Sequence, residues 1–324
     1  MTHVLADSTI YVHHYTLRSS AGLNAASPRR EFPGVLIKVG SGYGNIHPWP
    51  ERGDPKLDAC LKDLQGARRW PIVKRALRCA ELDGAARELG DWMFDEVEVP
   101  QSHATVTEFK AENVETAVAA GFQAVKMKVG RDLREESLAL AQWSREYPHL
   151  KWRLDFNEKG EPGEVVDFVR RLGDGFRSRL DFLEDPCPFS PKVWKELHAM
   201  TRMNLAVDRE AGPHVKDAQA MIIKPAVDHP WLLAEAAVNA GQALVFTSTM
   251  DHPLGQAFAA WEAMSAQVSF PGRIGLCGLQ THGAFRPTPF TEALGAVTPE
   301  FNAPEGTGLG FDDLLAELEW TPLD

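Results

Sequence analysis

The chain has 324 residues, 44% hydrophobic and 24% charged, a composition normal for a globular protein of one large domain or two ordinary ones. Its formal net charge of −11 argues against nucleic acid or anionic membrane as a partner, but leaves room for a local basic pocket that takes an anionic small molecule. No run approaches the roughly 18 apolar residues of a membrane helix, and the N-terminus lacks the apolar stretch of a signal peptide. The four cysteines (Cys60, Cys79, Cys187 and Cys277) have no zinc-like spacing, so reduced thiols in a cytoplasmic protein are expected.

The N-terminal part mixes strands and helices without a regular alternation. "STIYVHHYTL" and "GVLIKV" read as strands, separated by the polar loop "RSSAGLNAASPRREFP". In "GDPKLDACLKDL", Asp54 is placed to cap a helix that Pro55 opens, and Leu57, Leu61 and Leu64 share one face. A second helix runs through "PIVKRALRCAELDGAARELG" and ends near Gly90. The pattern predicts a small α+β domain over residues 1–98.

Beyond it the rhythm changes. Short apolar runs recur roughly every 25 residues with helical stretches between them. The runs are "SHATV", "AVKMKV", "KWRLDF", "RLDFLE", "NLAVD", "MIIKP" and "ALVFTS", with a weaker eighth at "GRIGLC". Repeated βα units with buried strands predict a parallel sheet closed as a (β/α) barrel over residues 99–284. No Gly-x-Gly-x-x-Gly follows an early strand, which disfavours an open dinucleotide-binding sheet. Residues 285–324 are expected to return to the N-terminal domain.

In a parallel barrel the C-terminal strand ends carry the site. Read to their ends, the strands supply Lys126 and Lys128, then Arg153, Asp155 and Asn157 on one face, then Glu184, Asp208 and Lys224, and finally Thr247, Ser248 and Thr249. Singly, each has an ordinary explanation. An aspartate after a strand caps the next helix, and a lysine at a strand end snorkels to water. Together they form an order: three carboxylates end three consecutive strands, with lysines ending the strands on either side. Neighbouring strands lie about 4.8 Å apart, so the three acids can converge on one ion. An all-oxygen set suits Mg²⁺, with Mn²⁺ as an alternative, rather than zinc. Lys128 and Lys224, on strands four apart, would face each other across a substrate. Nearby positive charge favours a neutral lysine, a base for abstracting a proton α to a carboxylate to give an enediolate. Arg153 and Asn157 are candidate substrate contacts. So are Ser248 and Thr249, just before a helix start whose free N–H groups favour an anion.

These motifs resemble the enolase superfamily, in its muconate lactonizing enzyme subgroup. The resemblance rests on Lys-x-Lys at Lys126–Lys128, Arg-x-Asp-x-Asn at Arg153–Asn157, "LEDP" with Glu184, "VDRE" with Asp208 and "IKP" with Lys224. It implies an α/β fold, a modified (β/α)₇β TIM-like barrel under an N-terminal α+β capping domain, with "GYGNIHPWP" (42–50) as the loop closing over the substrate. It also implies Mg²⁺ on Asp155, Glu184 and Asp208, with Lys128 as acid/base and Lys224 on the opposite face. "RLDFNE", "GLCGLQTHGAF" and the compact length resemble the o-succinylbenzoate synthase family. That resemblance implies a Mg²⁺-dependent dehydratase acting on a cyclohexadiene carboxylate in menaquinone biosynthesis. Lys128 would remove the α-proton and help the hydroxyl leave, Lys224 would act by charge, and Lys126 would hold the carboxylate and tune Lys128. Two departures stand out: Arg209 follows Asp208 where the family carries an acid, and Asn45 and His47 occupy the capping turn in place of the usual form. An N-acylamino acid racemase or dipeptide epimerase needs the same lysines, and a catalytically silent binding protein on this scaffold is the third alternative. The sequence leaves the oligomeric state open.

Overall fold

The computed structural model describes residues 9–19, 23, 29–95 and 97–323; half of the polar loop expected at 18–33 falls outside them. At the N-terminal end, β1 (Ile10–Arg18), β2 (Glu31–Val39) and β3 (Gly42–Ile46) form an antiparallel sheet. Helices α1 (Leu57–Gln65) and α2 (Pro71–Leu89) follow. Val35, Ile37 and Ile46 of the sheet, Cys60 and Leu64 of α1, and Ile72, Val73 and Ala76 of α2 are buried together. Pro71 suits the first turn of α2, and Gly90, with φ of 74°, ends it in the left-handed conformation.

Two expectations are corrected here. Residues 42–46, read as part of a loop, are strand β3 instead. Glycines normally weaken a strand, but these two let α2 lie directly on the sheet: a Cβ at Gly42 would stand 1.9 Å from Ala80 O, and one at Gly44 2.2 Å from Ala76 O. Asp54 does not cap α1. The N-cap is Lys56, without a side-chain bond, and Asp54 accepts the Trp49 N–H at 2.8 Å, closing the turn ahead of the helix.

The second sheet is parallel and seven-stranded: β4 (Ala104–Val106), β5 (Ala124–Lys128), β6 (Lys151–Asp155), β7 (Leu180–Glu184), β8 (Leu205–Val207), β9 (Ala220–Ile223) and β10 (Ala243–Phe246), neighbours in chain order. Helices α3 (Ala111–Ala119), α4 (Leu133–Glu146), α5 (Pro162–Arg177) and α6 (Pro191–Thr201) connect β4 through β8. A loop alone joins β8 to β9, and α7 (Pro230–Asn239) and α8 (Pro253–Ser269) follow β9 and β10. The weak eighth run closes the curl without forming a full strand. Single bridges join Ile274 to Leu244, Gly278 to Thr247 and Cys277 to Ser102, so the segment touches both β10 and the residues just before β4.

The chain then returns to the first sheet through α9 (Pro289–Ala293), α10 (Asp312–Ala316) and β11 (Thr321–Pro322), which pairs antiparallel with β1. Asp83 of α2 accepts the N–H groups of Tyr43 and Leu309, and Arg87 pairs with Asp83 at 2.7 Å and with Asp312. Between the sheets, Leu17, Leu23, Phe32 and Trp49 pack on Met250 and Phe285. No helix among the described residues is long and apolar enough to cross a membrane.

Candidate active site

Parallel register places Lys128, Asp155 and Glu184 in one row at the ends of β5, β6 and β7. Lys126 sits one inward-facing step lower, opposite Arg153. Asp208 follows β8 and Lys224 follows β9. Lys126, Lys128, Asp155, Asn157, Asp208 and Lys224 all line one cavity of about 50 Å³. Larger cavities of about 370 Å³ and 260 Å³ adjoin it on either side, sharing Val106, Met250 and Thr281 with it in one case and Arg52, Asp208 and Lys224 in the other.

The charges are paired. The Lys126 ammonium donates to Glu184 and lies 3.4 Å from Asp155, and Lys224 donates to Asp208. Burial works against the Lys126 charge, but Glu184, Asp155 and Asp208 outweigh it and hold the ammonium above the ordinary lysine range. Burial likewise opposes ionisation of Asp208, yet Lys224, Lys126 and Arg52 hold its carboxyl below the usual range. Among the described residues Lys128 meets no carboxylate: its ammonium donates to Leu23 O at 3.3 Å. Burial, joined by the charges of Arg52 and Lys126 and opposed by Asp155, brings its pKa down to about 8.

Asp155 and Asp208 line the cavity and Glu184 meets it through Lys126, and the three acids do not form a ready-made cluster. Among the described residues no three acidic, histidine or cysteine side chains stand together as an ion would need. Buried carboxylates do not stay unpaired, and the two ammonium groups draw them apart. The donor set still fits a hard cation. All three ligands are oxygen, and the ammonium of Lys126 already acts as a cation between two of them. Glu184 Oε2 is buried without a partner. Burial, opposed by Lys126 and reinforced by Asp155 and Asp208, pushes Glu184 up to about 7, a tension that a divalent ion relieves.

Arg153 is not at the mouth. Its Nη1 donates to Leu276 O at 2.6 Å, and its Nε and Nη2 each lie 2.8 Å from Asp181, on the barrel floor. Strand alternation puts it on the inner face with Asp155, but two residues lower. Asn157 takes φ of 49° past the end of β6 and its N–H donates to Asp155 Oδ1 at 2.9 Å. Ser248 and Thr249 line the cavity, with Ser248 Oγ 2.7 Å from Thr281 Oγ1. The helix expected after them starts at Pro253, capped by His252, so its free N–H groups lie beyond the two hydroxyls.

Three residues escaped the sequence reading. Arg52, in the short turn Pro50–Arg52, lines both the central cavity and the adjoining one of about 260 Å³. His103, ahead of β4, lines the floor; its inward parity with Thr105 was the available signal. Asp185, next to Glu184 in "LEDP", accepts the N–H groups of Asp208 and Arg209 at 3.0 and 3.1 Å and so fixes the Asp208 backbone. Arg209 itself turns outward to Glu158, 3.7 Å away.

Residues 10–86 match the family described as O-succinylbenzoate synthase, N-terminal domain, and residues 110–232 match the family described as enolase C-terminal domain-like. The o-succinylbenzoate synthase of Bdellovibrio bacteriovorus is 30% identical over 321 residues, 95% of this chain and 97% of that one. The chain belongs to the enolase superfamily. Within the superfamily it resembles the o-succinylbenzoate synthases. Two solved structures show the shared fold. The N-succinyl Arg/Lys racemase from Bacillus cereus superposes with a TM-score of 0.77 at 18% identity, over 97% of this chain and 99% of that one. A dipeptide epimerase from Methylococcus capsulatus, complexed with Mg and the dipeptide L-Arg-D-Lys, gives 0.74 at 17% identity, over 93% and 98%. Superfamily membership makes the chain an enzyme.

Proposed function

We propose that the protein is an o-succinylbenzoate synthase, which dehydrates 2-succinyl-6-hydroxy-2,4-cyclohexadiene-1-carboxylate with one lysine as base. The observation that carries this reading is the asymmetry of the two lysines. Lys128 is half-buried, donates among the described residues to a carbonyl oxygen and has a pKa brought down to about 8, whereas Lys224 is tied to Asp208 as an ion pair. One is poised to take a proton, and the other to supply charge. Domain-level similarity and full-length similarity to o-succinylbenzoate synthases support the same reading.

Asp155, Glu184 and Asp208 would hold Mg²⁺. Bound there, it would stabilise the negative charge that builds on the substrate carboxylate. Lys126, kept charged by the acids, holds that carboxylate from below. Neutral Lys128 removes the α-proton, and the resulting ammonium then returns a proton to the departing hydroxyl. Lys224 steadies the enediolate from the opposite wall, and Arg52 closes the cavity from the capping side.

The direct test is dehydration of the cyclohexadiene substrate by purified protein with Mg²⁺, with and without EDTA. Product should form with the metal and fail to form without it. Solvent exchange of the α-hydrogen of N-acylamino acids through both lysines, with no dehydration, would assign the racemase alternative instead.

A further inference from the structure

A contact on the barrel floor fixes the position of one proton. Arg153 Nη1 lies 2.7 Å from His103 Nδ1. A guanidinium has donors only, so Nδ1 accepts, and the imidazole carries its proton on Nε2. Burial, with the charges of Arg153 and Lys126, holds the ring neutral. The guanidinium cannot swing away, because Asp181 accepts from its Nε and Nη2 and Leu276 O accepts the second hydrogen of Nη1.

The opposite edge of the ring faces Gly278, and both residues line the central cavity. A Cβ at position 278 would stand 3.0 Å from His103 Nε2 and 2.9 Å from Thr247 Cγ2, so any larger residue would press on both neighbours. Among the described residues nothing hydrogen-bonds His103 Nε2, and Thr247 Oγ1 is buried with no partner. His103, by its Nε2 edge, and Thr247, by its methyl, therefore flank one glycine, and all three residues line the central cavity. They sit at the closing segment, across the barrel from β7 and its acids. The Thr247 hydroxyl is the buried one, and buried donors are normally satisfied; His103 lines the same cavity, where a ligand oxygen would give both donors an acceptor.

We propose that His103 Nε2–H and the Thr247 hydroxyl form a neutral two-donor cradle over Gly278 that holds an oxygen of the substrate, with Arg153 as the positioning residue that fixes the tautomer. The oxygen belongs to the substrate arm that points away from the acids. Under the lyase reading, on which this assignment rests, that is the succinyl arm.

Nitrogen NMR of the metal-free protein with labelled histidine tests the first part without any turnover. The His103 signals should report bare Nδ1 and protonated Nε2, and should not move across the range where a free imidazole titrates. In Arg153→Met the tautomers should mix; Arg153→Lys, which keeps one donor, should restore the wild-type pattern. A proton on Nδ1 in the wild type would overturn the proposal.

The second part is read by calorimetry with o-succinylbenzoate and by KM. Each of His103→Phe and Thr247→Val should weaken binding about tenfold, the worth of one hydrogen bond, with a smaller change in kcat. Benzoate, which lacks the arm, should bind these variants and the wild type alike. Unchanged affinity for o-succinylbenzoate in Thr247→Val would sink the cradle. If the wild type neither binds o-succinylbenzoate nor dehydrates its precursor, the lyase reading fails on its own. The two variants are then compared on an N-succinylated amino acid, and an unchanged KM there overturns the cradle as well.

Discussion

Lys128 and Lys224 occupy the same cavity under opposite constraints. A base must be neutral to act, so kcat/KM should rise with pH through the Lys128 pKa of about 8 and level off above it. A divalent cation nearby moves the inflection lower, because it disfavours the ammonium further. A profile flat from pH about 6 to about 9 would contradict this assignment. Substitution separates the two roles. A guanidinium stays protonated, so Lys128→Arg should be as inactive as Lys128→Ala, at least about 10²-fold below wild type. Lys224→Arg keeps the charge and should retain more activity than Lys224→Ala. If both arginine variants are equally dead, each lysine moves a proton, and racemase chemistry follows.

At the scale of elements, the junction between the sheets carries a buried polar network beside its apolar contacts. Tyr15 of β1 donates to Asn45 Oδ1 at 2.6 Å, and Asn45 of β3 donates to Asp251 Oδ2 at 3.1 Å, ahead of α8. His47, stacked on Tyr15, and His252, tilted against it, are each held neutral by burial, with pKa values brought down to about 3. Burial pushes Asp251 up to about 7. An unfolded aspartate has a pKa of about 3.9. The folded state thus binds the proton more tightly, and the stability this contributes is full below that value and is lost as pH rises through about 7. Asp251→Asn is permanently neutral and keeps an acceptor for Asn45. It should melt above wild type at pH about 8, with the gain shrinking toward pH about 5. Thermal unfolding at the two values measures it, and an equal shift at both would mean that charge is not involved.

The same elements mark how far the sequence could be read. Barrel strands announced themselves because buried parallel strands are short apolar runs, and the row of lysines and acids followed from reading each run to its end. Alternation gives the face of a residue and not its height, which is why Arg153 looked like a substrate contact and proved to brace the floor. β3 was hidden by its glycines, whose purpose is visible only once α2 lies on them. The closing segment was faint because it makes single bridges in place of a ladder. The Asn45–Asp251 bond joins residues 206 apart in the chain, a distance over which no local pattern carries information.

For the whole molecule, the first sheet is assembled from both ends of the described chain, since Tyr11 of β1 pairs with Pro322 of β11. Arg87 and Asp83 anchor the returning segment on α2 through Leu309, Gly310 and Asp312. The barrel and the β1–β2–β3 meander are each built from neighbouring units in chain order, whereas β11 and the packing between the two sheets join distant residues. Contacts between distant residues form slowly, because a long loop must close before they gain anything. During refolding the βα units should therefore assemble first and the sheet that covers their open end last. Far-UV circular dichroism should recover ahead of catalytic turnover, and a common time constant for both would refute this order. Until that late step is complete, the Leu23 carbonyl is not yet seated on Lys128, and a fully wound barrel would be an enzyme with its reactive amine still open to water.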